Sequence, residues 1–342
     1  VAQSGKARIN RVTGAASTLT ITGLSSSSLP RTLTLDGGLA YLGGGFLFNS
    51  VFRKGIVAVD LSSGNEIVGM PAVDSEASQP ILATLVSGAR LWFGGQFDAA
   101  GGVEVSGIAS VPVSGPPMVS GQFLSSAFST SAVTAFARQP DGKVVIGGQF
   151  DMVDGFRRKN LVRLNTDGTV DSAWTANVTG NGGRVLALAH DGSRVLVGGD
   201  FERVNGTLRP WLAALDDNGV LTAWNPAPDN PVHAIRPDGG FEYVAGSFTT
   251  IGATSQNGLS QLDAVTGSIV VPAFGNHVSI FGGFPVNAID VRTHVYVAGS
   301  FDQISGLLPD GVTPRHFRSI AALDAGTGAY TNWNPPLASA VH

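Results

Sequence analysis

The chain contains no cysteine and few charged residues. The lack of Cys among its 342 residues excludes disulfide scaffolds, thiol catalysis, iron–sulfur clusters and cysteine zinc sites. Charged residues make up 13% of the chain, against about a quarter in a typical globular protein. The 21 Lys+Arg and 25 Asp+Glu residues leave a formal net charge of -4. This balance gives no electrostatic basis for binding a phosphate backbone, so we expect no nucleic-acid partner.

Long apolar runs are also missing. No stretch approaches the roughly 18 apolar residues that a membrane-spanning helix needs. Residues 1–10 lack the charged and then apolar build of a signal peptide, so we expect any export signal to be removed or left out of this sequence. Few lysines, no thiols and abundant Gly, Ser, Thr and Ala are typical of exported bacterial proteins. The composition therefore predicts an extracellular or cell-surface location.

Glycine is abundant and recurs in a motif. The 46 glycines are about twice the usual share. A pair of small residues is followed by one further residue and then Phe six times along the chain. Successive Phe residues lie 51, 53, 51, 47 and 53 positions apart, a regularity that predicts internal repeats. The second glycine of each pair and its Phe are Gly44 and Phe46, Gly95 and Phe97, Gly148 and Phe150, Gly199 and Phe201, Gly246 and Phe248, and Gly299 and Phe301.

The two positions of the pair accept different residues. Ala245 and Ala298 occupy the first position, whereas the second position is glycine in every copy. We therefore expect the second glycine to have a positive φ or to meet a backbone that leaves no space for a side chain. Because these glycines and phenylalanines recur in every repeat, we interpret them as residues that build the fold.

Each repeat predicts four short antiparallel strands. One strand precedes the glycine pair, as at Val133 to Ala137, a second ends in the pair, and two follow it. The third strand ends in a turn that begins at Asp or Asn and closes with glycine, as at Asp263 and Gly267. The fourth often ends at an aromatic residue such as Trp174. Such units, with Gly-rich turns and no helical periodicity, are typical of the four-stranded blades of a β-propeller. A parallel β-helix, which has shorter coils, is the weaker alternative.

The sequence thus predicts an all-β fold and one propeller domain over residues 1–342. Residues 1–28 match the last two strands of a partial blade, residues 29–335 hold six complete repeats, and residues 336–342 match the start of a further repeat. Two arrangements remain open at the ends. Either the natural chain continues past His342, or six blades close the ring and the first strand pair is an extra element.

With these motifs the chain resembles the delta-60 repeat β-propellers of bacterial exported and surface proteins. The best match runs from Val144 to Trp174 and includes Gly147-Gly148-Gln149-Phe150, Gly155, Arg158, Leu161 to Asn165, and Asp167-Gly168. Kelch propellers share the glycine pair but space their aromatic residue differently, so they come second. The resemblance implies a propeller module within large secreted or cell-surface proteins, and it implies no catalytic residues.

Carboxylates beside the motif Phe are weak candidates for a ligand site. If the loops that carry them converge, they would form an acidic rim able to hold Ca²⁺ through oxygen ligands. The sequence lacks the dense spacing of a calcium loop, so solvated residues or turn caps are the plainer interpretation. These residues are Asp98, Asp151, Asp154, Asp200, Glu202 and Asp302. The aromatic residues that end the fourth strands offer another alternative, a platform for stacking sugar rings.

The histidines show no metal-ligand spacing, and no catalytic motif is present. Some propeller lyases use His with a neighbouring Arg, so an enzyme of this type would use some of His233, Arg236, His277, His294 and His316. Overall the sequence favours a non-enzymatic extracellular module that contacts glycan or protein, with no cofactor. The alternative is a polysaccharide-active lyase or hydrolase with its site on the axial face, and it requires titratable groups from different repeats to converge.

Overall fold

The computed structural model describes residues 8–9, 16–17, 30–48, 51–75, 80–114, 119–125, 131–270, 279–281, 286–292, 294–299, 303–305, 320–329 and 331. Within these ranges every regular element is a β-strand and every pairing is antiparallel, so the described part of the chain is all-β as predicted. It contains no helix that could cross a membrane.

The chain divides into two compact units, which are described separately below. Unit 1 comprises residues 1–8 and 18–177, and unit 2 comprises residues 9–17 and 178–342. Two short strands near the start of the chain, β1 (Arg8–Ile9) and β2 (Ala16–Ser17), pair with each other.

The described residues of unit 1 form four sheets. They have the strand orders β3-β4-β5-β6, β11-β10-β7, β17-β16-β13-β12-β9-β8 and β14-β15-β18. The strands are β3 (Thr32–Asp36), β4 (Leu39–Phe48), β5 (Val51–Asp60), β6 (Glu66–Ile67), β7 (Val73–Asp74), β8 (Ile81–Ser87), β9 (Arg90–Gly95), β10 (Ala99–Ala100), β11 (Val103–Glu104), β12 (Gly107–Pro112), β13 (Ser120–Ser125), β14 (Ala132–Arg138), β15 (Val144–Gln149), β16 (Met152–Val153), β17 (Phe156–Arg157) and β18 (Leu161–Leu164).

Unit 2 contains three larger three-stranded sheets, β20-β21-β24, β25-β26-β29 and β31-β32-β34, and three small ones, β19-β22-β23, β27-β28 and β30-β33. Its strands are β19 (Val178–Thr179), β20 (Arg184–His190), β21 (Arg194–Asp200), β22 (Arg203–Val204), β23 (Thr207–Leu208), β24 (Leu212–Asp216), β25 (Val232–Asp238), β26 (Phe241–Gly246), β27 (Thr250–Ile251), β28 (Thr254–Ser255), β29 (Leu259–Asp263), β30 (Ser279–Phe281), β31 (Val286–Val291), β32 (His294–Gly299), β33 (Gln303–Ser305) and β34 (Ile320–Asp324).

The fourth strand of the repeat is much reduced. In three repeats the outer segment forms only a single bridge to the third strand: Leu164 with Val170, Leu215 with Leu221, and Leu262 with Ile269. Of the four short strands predicted for these repeats, the fourth is therefore reduced to this bridge. In the repeat of β14 to β18, the chain leaves the ladder because it turns at Asp171, whose carboxylate accepts the N–H of Ala173 and whose carbonyl accepts that of Trp174.

A small hairpin that was not predicted from the sequence follows the motif Phe in several repeats. It is formed by β10–β11, β16–β17, β22–β23 and β27–β28. In two of these hairpins the two-residue turn is Asp154-Gly155 or Asn205-Gly206. Both residues of each turn have a positive φ, as a type I′ hairpin turn requires. In the first repeat β4 and β5 instead pair with each other along their full length.

A bulge in the first strand explains the second glycine of the pair. The register shifts by one residue opposite the pair in five repeats, where Leu82, Thr134, Leu186, His233 and Asn287 are the extra residues. The bulge brings a main-chain carbonyl against the glycine. A Cβ on Gly95, Gly148, Gly199 or Gly246 would overlap with the carbonyl oxygen of Pro80, Ala132, Arg184 or Pro231, respectively. Close approach of the backbone, and not a positive φ, therefore requires glycine at these four positions.

The first position of the pair faces the next repeat. A Cβ on Gly198 would lie 2.9 Å from Val232 Cγ1 and 3.0 Å from Ile235 Cδ1, which are side-chain atoms able to shift. Ala245 occupies this position in the following repeat and belongs to a buried cluster with Val286 and Val297. The motif phenylalanines Phe46, Phe97, Phe150, Phe201 and Phe248 are all buried, whereas Phe301 lies outside the described residues.

The two positions of one glycine pair should respond differently to alanine. We expect Gly199→Ala to cost about 3 kcal/mol or more in the free energy of unfolding, because the carbonyl of Arg184 cannot withdraw without breaking the ladder. Gly198→Ala should cost about 1–2 kcal/mol, because Val232 and Ile235 can adjust. Urea unfolding followed by tryptophan fluorescence measures both values. Equal losses in the two variants would contradict this account.

Candidate functional site

The predicted carboxylates are used mainly in turns and ion pairs. Asp154 is the first turn residue of a small hairpin, with a φ of 47°, and Asp98 is exposed. The main-chain carbonyls of Asp151 and Glu202 accept the N–H groups of Arg158 and Arg209, which close the hairpin ends. Asp200 Oδ2 lies 3.1 Å from Arg184 Nη2. Asp302 lies outside the described residues.

The described residues contain no group of three or more His, Asp or Glu side chains arranged to hold a metal. Calcium binding therefore stays a prediction. The aromatic platform has no support in this part of the chain, because Trp174 is fully buried and Trp224 is 4% exposed, so neither can stack on a sugar.

The predicted histidine and arginine residues fall into separate contacts. His233 Nε2 lies 3.0 Å from Ser247 Oγ. Arg236 Nε lies 3.4 Å from Asp290 Oδ1, and the His294 ring meets Tyr296 edge-on at 6.1 Å. His277 and His316 lie outside the described residues. No contact joins His233 to Arg236 or His294 in the described part of unit 2.

His233 is the bulge residue of β25 and lies beside the first residue after the glycine pair of its own repeat, Ser247. Burial lowers the pKa of His233, and the positive charge of Arg184 lowers it further. The imidazole is therefore neutral at pH 7 and can accept the proton of the Ser247 hydroxyl. The sequence analysis singled out His233 but did not consider Ser247.

In unit 1 one polar cluster acts as a brace. Arg163 Nη2 and Lys143 Nζ lie 2.8 and 3.0 Å from Asp171 Oδ2, and Arg163 Nη1 donates to Gln139 Oε1 at 3.1 Å. The guanidinium also lies over the buried ring of Trp174, 5.6 Å from its centroid. The carboxylate of Asp171 is paired with both basic groups, so this cluster ties the outer segment to the sheet.

A cleft in unit 2 has a different composition. It has a volume of about 740 Å³ and is formed by three turns: the β20–β21 turn, the β25–β26 turn and the turn that follows β29. Gly192, Gly239 and Gly240 give these turns little side-chain bulk, and a Cβ on any of them would meet open space. The polar side chains on the lining are those of His190, Asp191, Ser193, Arg194, Asp238 and Glu242.

Most polar groups of the cleft are held by each other. Asp191 Oδ1 accepts the N–H groups of Ser193 and Arg194 at 2.8 and 2.7 Å, and its Oδ2 lies 2.6 Å from Arg194 Nη2. Burial raises the pKa of Asp191, but these hydrogen bonds and the guanidinium of Arg194 hold it below its usual value. His190 Nδ1 accepts the N–H of Gly192, so Nε2 carries the proton and donates to Asp217 Oδ1 at 2.7 Å.

Glu242 is the exception. Its Oε1 accepts a hydrogen bond from Arg194 Nη2 at 3.2 Å, but its Oε2 is buried with no hydrogen-bond partner among the described residues. Burial, followed by the negative charge of Asp191, raises the pKa of Glu242 to about 8 despite Arg194. The side chain therefore holds a proton at pH 7. A side-chain hydrogen bond with Asp191 also raises the pKa of Glu242, so Asp191 is an acceptor for this proton.

The repeat pattern could have identified Glu242. The position six residues before the motif Phe is buried in all six repeats. It is apolar in five of them and carries a carboxyl group only in the repeat of Phe248. The residues are Ala40, Leu91, Val144, Val195, Glu242 and Val295. The glycine positions that define the repeats do not point to this position, so Glu242, Asp191 and Arg194 were missed at the level of sequence.

A family model described as "Domain of unknown function (DUF5122) beta-propeller" matches residues 139–173, which include the brace of unit 1. No curated protein matches the chain. Together with the repeated antiparallel sheets, the family match supports the predicted β-propeller fold.

Two solved structures resemble the chain over most of its length. The computationally designed Ika8 protein is 15% identical, with 91% of this chain and 89% of that chain covered and a TM-score of 0.51. The extracellular domain of BT4673 from B. thetaiotaomicron is 13% identical, with 92% of this chain covered and a TM-score of 0.50. This chain covers 36% of that longer one. At these identities the likeness shows a shared fold alone.

Glu242 should make stability fall as the pH rises. Its folded pKa, about 8, is raised from 4.5, so the stability it contributes is present below pH 4.5 and is lost as the pH rises through 8. We expect the Tm to fall by roughly 2–6 °C between pH 5.5 and pH 9. In Glu242→Gln the decrease in Tm that comes from Glu242 should be absent. The titration of His233 affects the Tm of both proteins equally, so it does not contribute to the difference between them. Thermal melts at closely spaced pH values measure the difference, and parallel Tm curves would contradict it.

Proposed function

We propose that the chain is a non-enzymatic interaction module, a delta-60-type β-propeller of an extracellular or cell-surface protein that contacts glycan or protein. The antiparallel repeats and the family match support the propeller. The six sequence repeats and their resemblance to delta-60 propellers support the finer assignment. The cysteine-free, lysine-poor composition supports the location. The cleft of unit 2 is the proposed point of contact.

The observation that carries this proposal is the buried carboxyl group of Glu242. Burying a carboxyl group costs free energy, and an aliphatic residue at this position avoids that cost, as Val195 and Val295 do. A carboxyl group that weakens the fold beside an open cleft supports a binding role for that cleft.

A second candidate, a polysaccharide-active enzyme, has one observation in its favour. Ser247 is exposed, and its Oγ lies 3.0 Å from Nε2 of a histidine that is neutral at pH 7. A neutral imidazole beside a hydroxyl is the arrangement that general-base catalysis requires. The ion pair of Arg184 and Asp200, from the preceding repeat, lies close enough to act on His233, but its two charges oppose each other there. Within the described residues no contact brings Arg236 or His294 to the pair. We therefore rank the binding module first.

One experiment tests binding against catalysis. Affinity electrophoresis through gels that contain soluble β-glucan, mannan or xylan measures retention of the chain, and assays of reducing ends and unsaturated sugars measure turnover. We expect retention on at least one polysaccharide, with product formation no higher than in buffer. Glu242→Val should lose the retention, and the surface variant Asp154→Asn should keep it.

Product formation would overturn the non-enzymatic proposal. In that case His233→Ala and Ser247→Ala show whether the second candidate is correct, because both should abolish turnover while Glu242→Val retains it. Absence of retention on all three polysaccharides, with no turnover, would remove glycan as the contact and leave only protein partners.

A further inference from the structure

We propose that the indole ring of Trp211 is the stacking platform of a second binding site in unit 2, and that this site takes the apolar face of a sugar ring. The inference rests on the proposed function, in which the chain contacts glycan, and it adds a site outside the cleft. Trp211 does not end a fourth strand, and the repeat pattern alone does not distinguish it. The residue is partly exposed, whereas Trp92, Trp174 and Trp224 are buried.

Trp211 stands where the main chain requires a positive φ. In the four repeats that carry the small hairpin, the tenth residue after the motif Phe donates its N–H to the carbonyl of that Phe at 2.8–3.1 Å. In three of them its carbonyl also accepts the N–H of the second glycine of the pair. These hydrogen bonds hold the position in the left-handed conformation. The four residues, with φ between 62° and 71°, are Gly107, Asn160, Trp211 and Gly258.

Tryptophan is poorly suited to this conformation. Glycine has no Cβ to clash there, and Asn tolerates it. Asn160 also makes use of the position, because its Oδ1 accepts the N–H of Phe150 at 2.9 Å. An indole has no hydrogen-bond acceptor, so Trp211 cannot repeat this contact. Trp211 therefore weakens the fold, and strained residues of this kind concentrate at ligand sites.

The indole of Trp211 is available to a ligand. Its N–H has no hydrogen-bond partner among the described residues and is not one of their buried unpaired atoms. By contrast, Trp224 Nε1 donates to the carbonyl of Asp263 at 3.2 Å, and Trp174 Nε1 is buried. The rings of Trp174 and Trp224 also lie against guanidinium groups, whereas no described guanidinium or aromatic ring lies against Trp211.

The site lies away from the cleft. The main chain of Trp211 is hydrogen-bonded to both neighbours of Asp200, which is the last residue of β21. Arg194, which lines the cleft, is the first residue of the same strand. Six residues of extended strand separate these ends by about 20 Å. A single sugar ring cannot contact both places, so the two sites can be tested independently.

The surroundings of Trp211 favour a sugar as the ligand. Asp200 lies across the ladder from Trp211 and pairs with Arg184 at 3.1 Å. Both side chains of this ion pair are partly exposed, so this end of the sheet offers hydrogen-bond donors and acceptors without net charge. A pyranose matches this arrangement, because its C–H face stacks on an aromatic ring while its hydroxyls bind polar groups beside the ring.

An extended peptide is the competing occupant. Leu208, on the outer strand of the small hairpin, is 63% exposed and offers a further apolar contact. A protein hot spot, however, has a dry and apolar surround. The ion pair beside Trp211 does not provide such a surround. We therefore assign the site to a sugar and use Leu208 to test the peptide.

The test is a titration of the whole ¹⁵N-labelled chain with cellohexaose, mannohexaose and xylohexaose, followed by NMR. The chain has five tryptophans, so the indole region of the spectrum holds five N–H signals. The signal that is missing in Trp211→Asn belongs to Trp211. The signal of the buried Trp224, identified with Trp224→Phe, is the internal control.

We expect at least one hexasaccharide to shift the Trp211 signal saturably while the Trp224 signal stays in place. Trp211→Asn and Trp211→Gly should weaken binding at least about tenfold, whereas Trp211→Phe, which keeps a flat ring, should retain affinity within about fivefold.

Thermal melts give a second readout. Trp211→Asn and Trp211→Gly should leave the Tm unchanged or raise it, because Asn or Gly occupies this position in the other three repeats with the small hairpin. Removing a tryptophan that only fills space would instead lower the Tm.

Several outcomes would overturn the inference: a Trp211 signal that responds to none of the three hexasaccharides, unchanged affinity in Trp211→Asn, or a Tm that falls in both the Asn and the Gly variants. A loss of affinity in Leu208→Ser as large as that in Trp211→Asn would assign the contact to the apolar edge of the hairpin and overturn it as well.

The polysaccharide gels separate this inference from the proposed function. Retention that is lost in Trp211→Asn and kept in Glu242→Val would support the site at Trp211 together with the interaction module. Retention that is lost in Glu242→Val and kept in Trp211→Asn would overturn the site at Trp211 and leave the interaction module standing.

Discussion

The contact between a bulged carbonyl and a glycine is the constraint on which each repeat depends. The extra residue of the first strand turns a main-chain oxygen toward the middle strand, which can accommodate it only where there is no Cβ, as at Gly148 and Gly199. The N–H groups of the same two glycines donate to the carbonyls of Asn160 and Trp211 before the third strand. One glycine therefore joins three strands. The adjacent first position of the pair packs against the next repeat.

The same repeat geometry accommodates cations in two ways. Lys143 and Arg194 occupy the same position in two successive repeats, seven residues before the motif Phe. Lys143 pairs with Asp171 in the outer segment of its own repeat. Arg194 pairs with Asp191 of its own turn and with Glu242 of the next repeat. The first arrangement closes a repeat on itself. The second joins two neighbouring repeats of unit 2 and places a carboxylic acid in the seam between them. Buried charge therefore braces a repeat in one case and lines a cleft in the other.

Most of the features that could be predicted from the sequence are ones that recur with a clear pattern. The positions of the glycine pair, the strand before it and the Asp-to-Gly turn follow from repetition; Asp263 accepts the N–H groups of Val265 and Thr266, and Gly267 has a φ of 74°. The small hairpin was missed because two-residue strands leave almost no periodicity. Glu242 was missed because a single acidic residue in an apolar strand looks like a tolerated exception until its neighbours are known. His233 was identified, but its partner Ser247 depends on a register that the sequence does not specify.

The position of Glu242 links ligand contact to repeat packing. Arg194 lies between the Glu242 carboxyl group and the Trp224 ring, whose indole N–H donates to the carbonyl of Asp263 in the next repeat. The lining of the cleft and the buried seam between two repeats are therefore joined by one chain of contacts. A group that binds the cleft of the folded protein alone would also stabilise this seam.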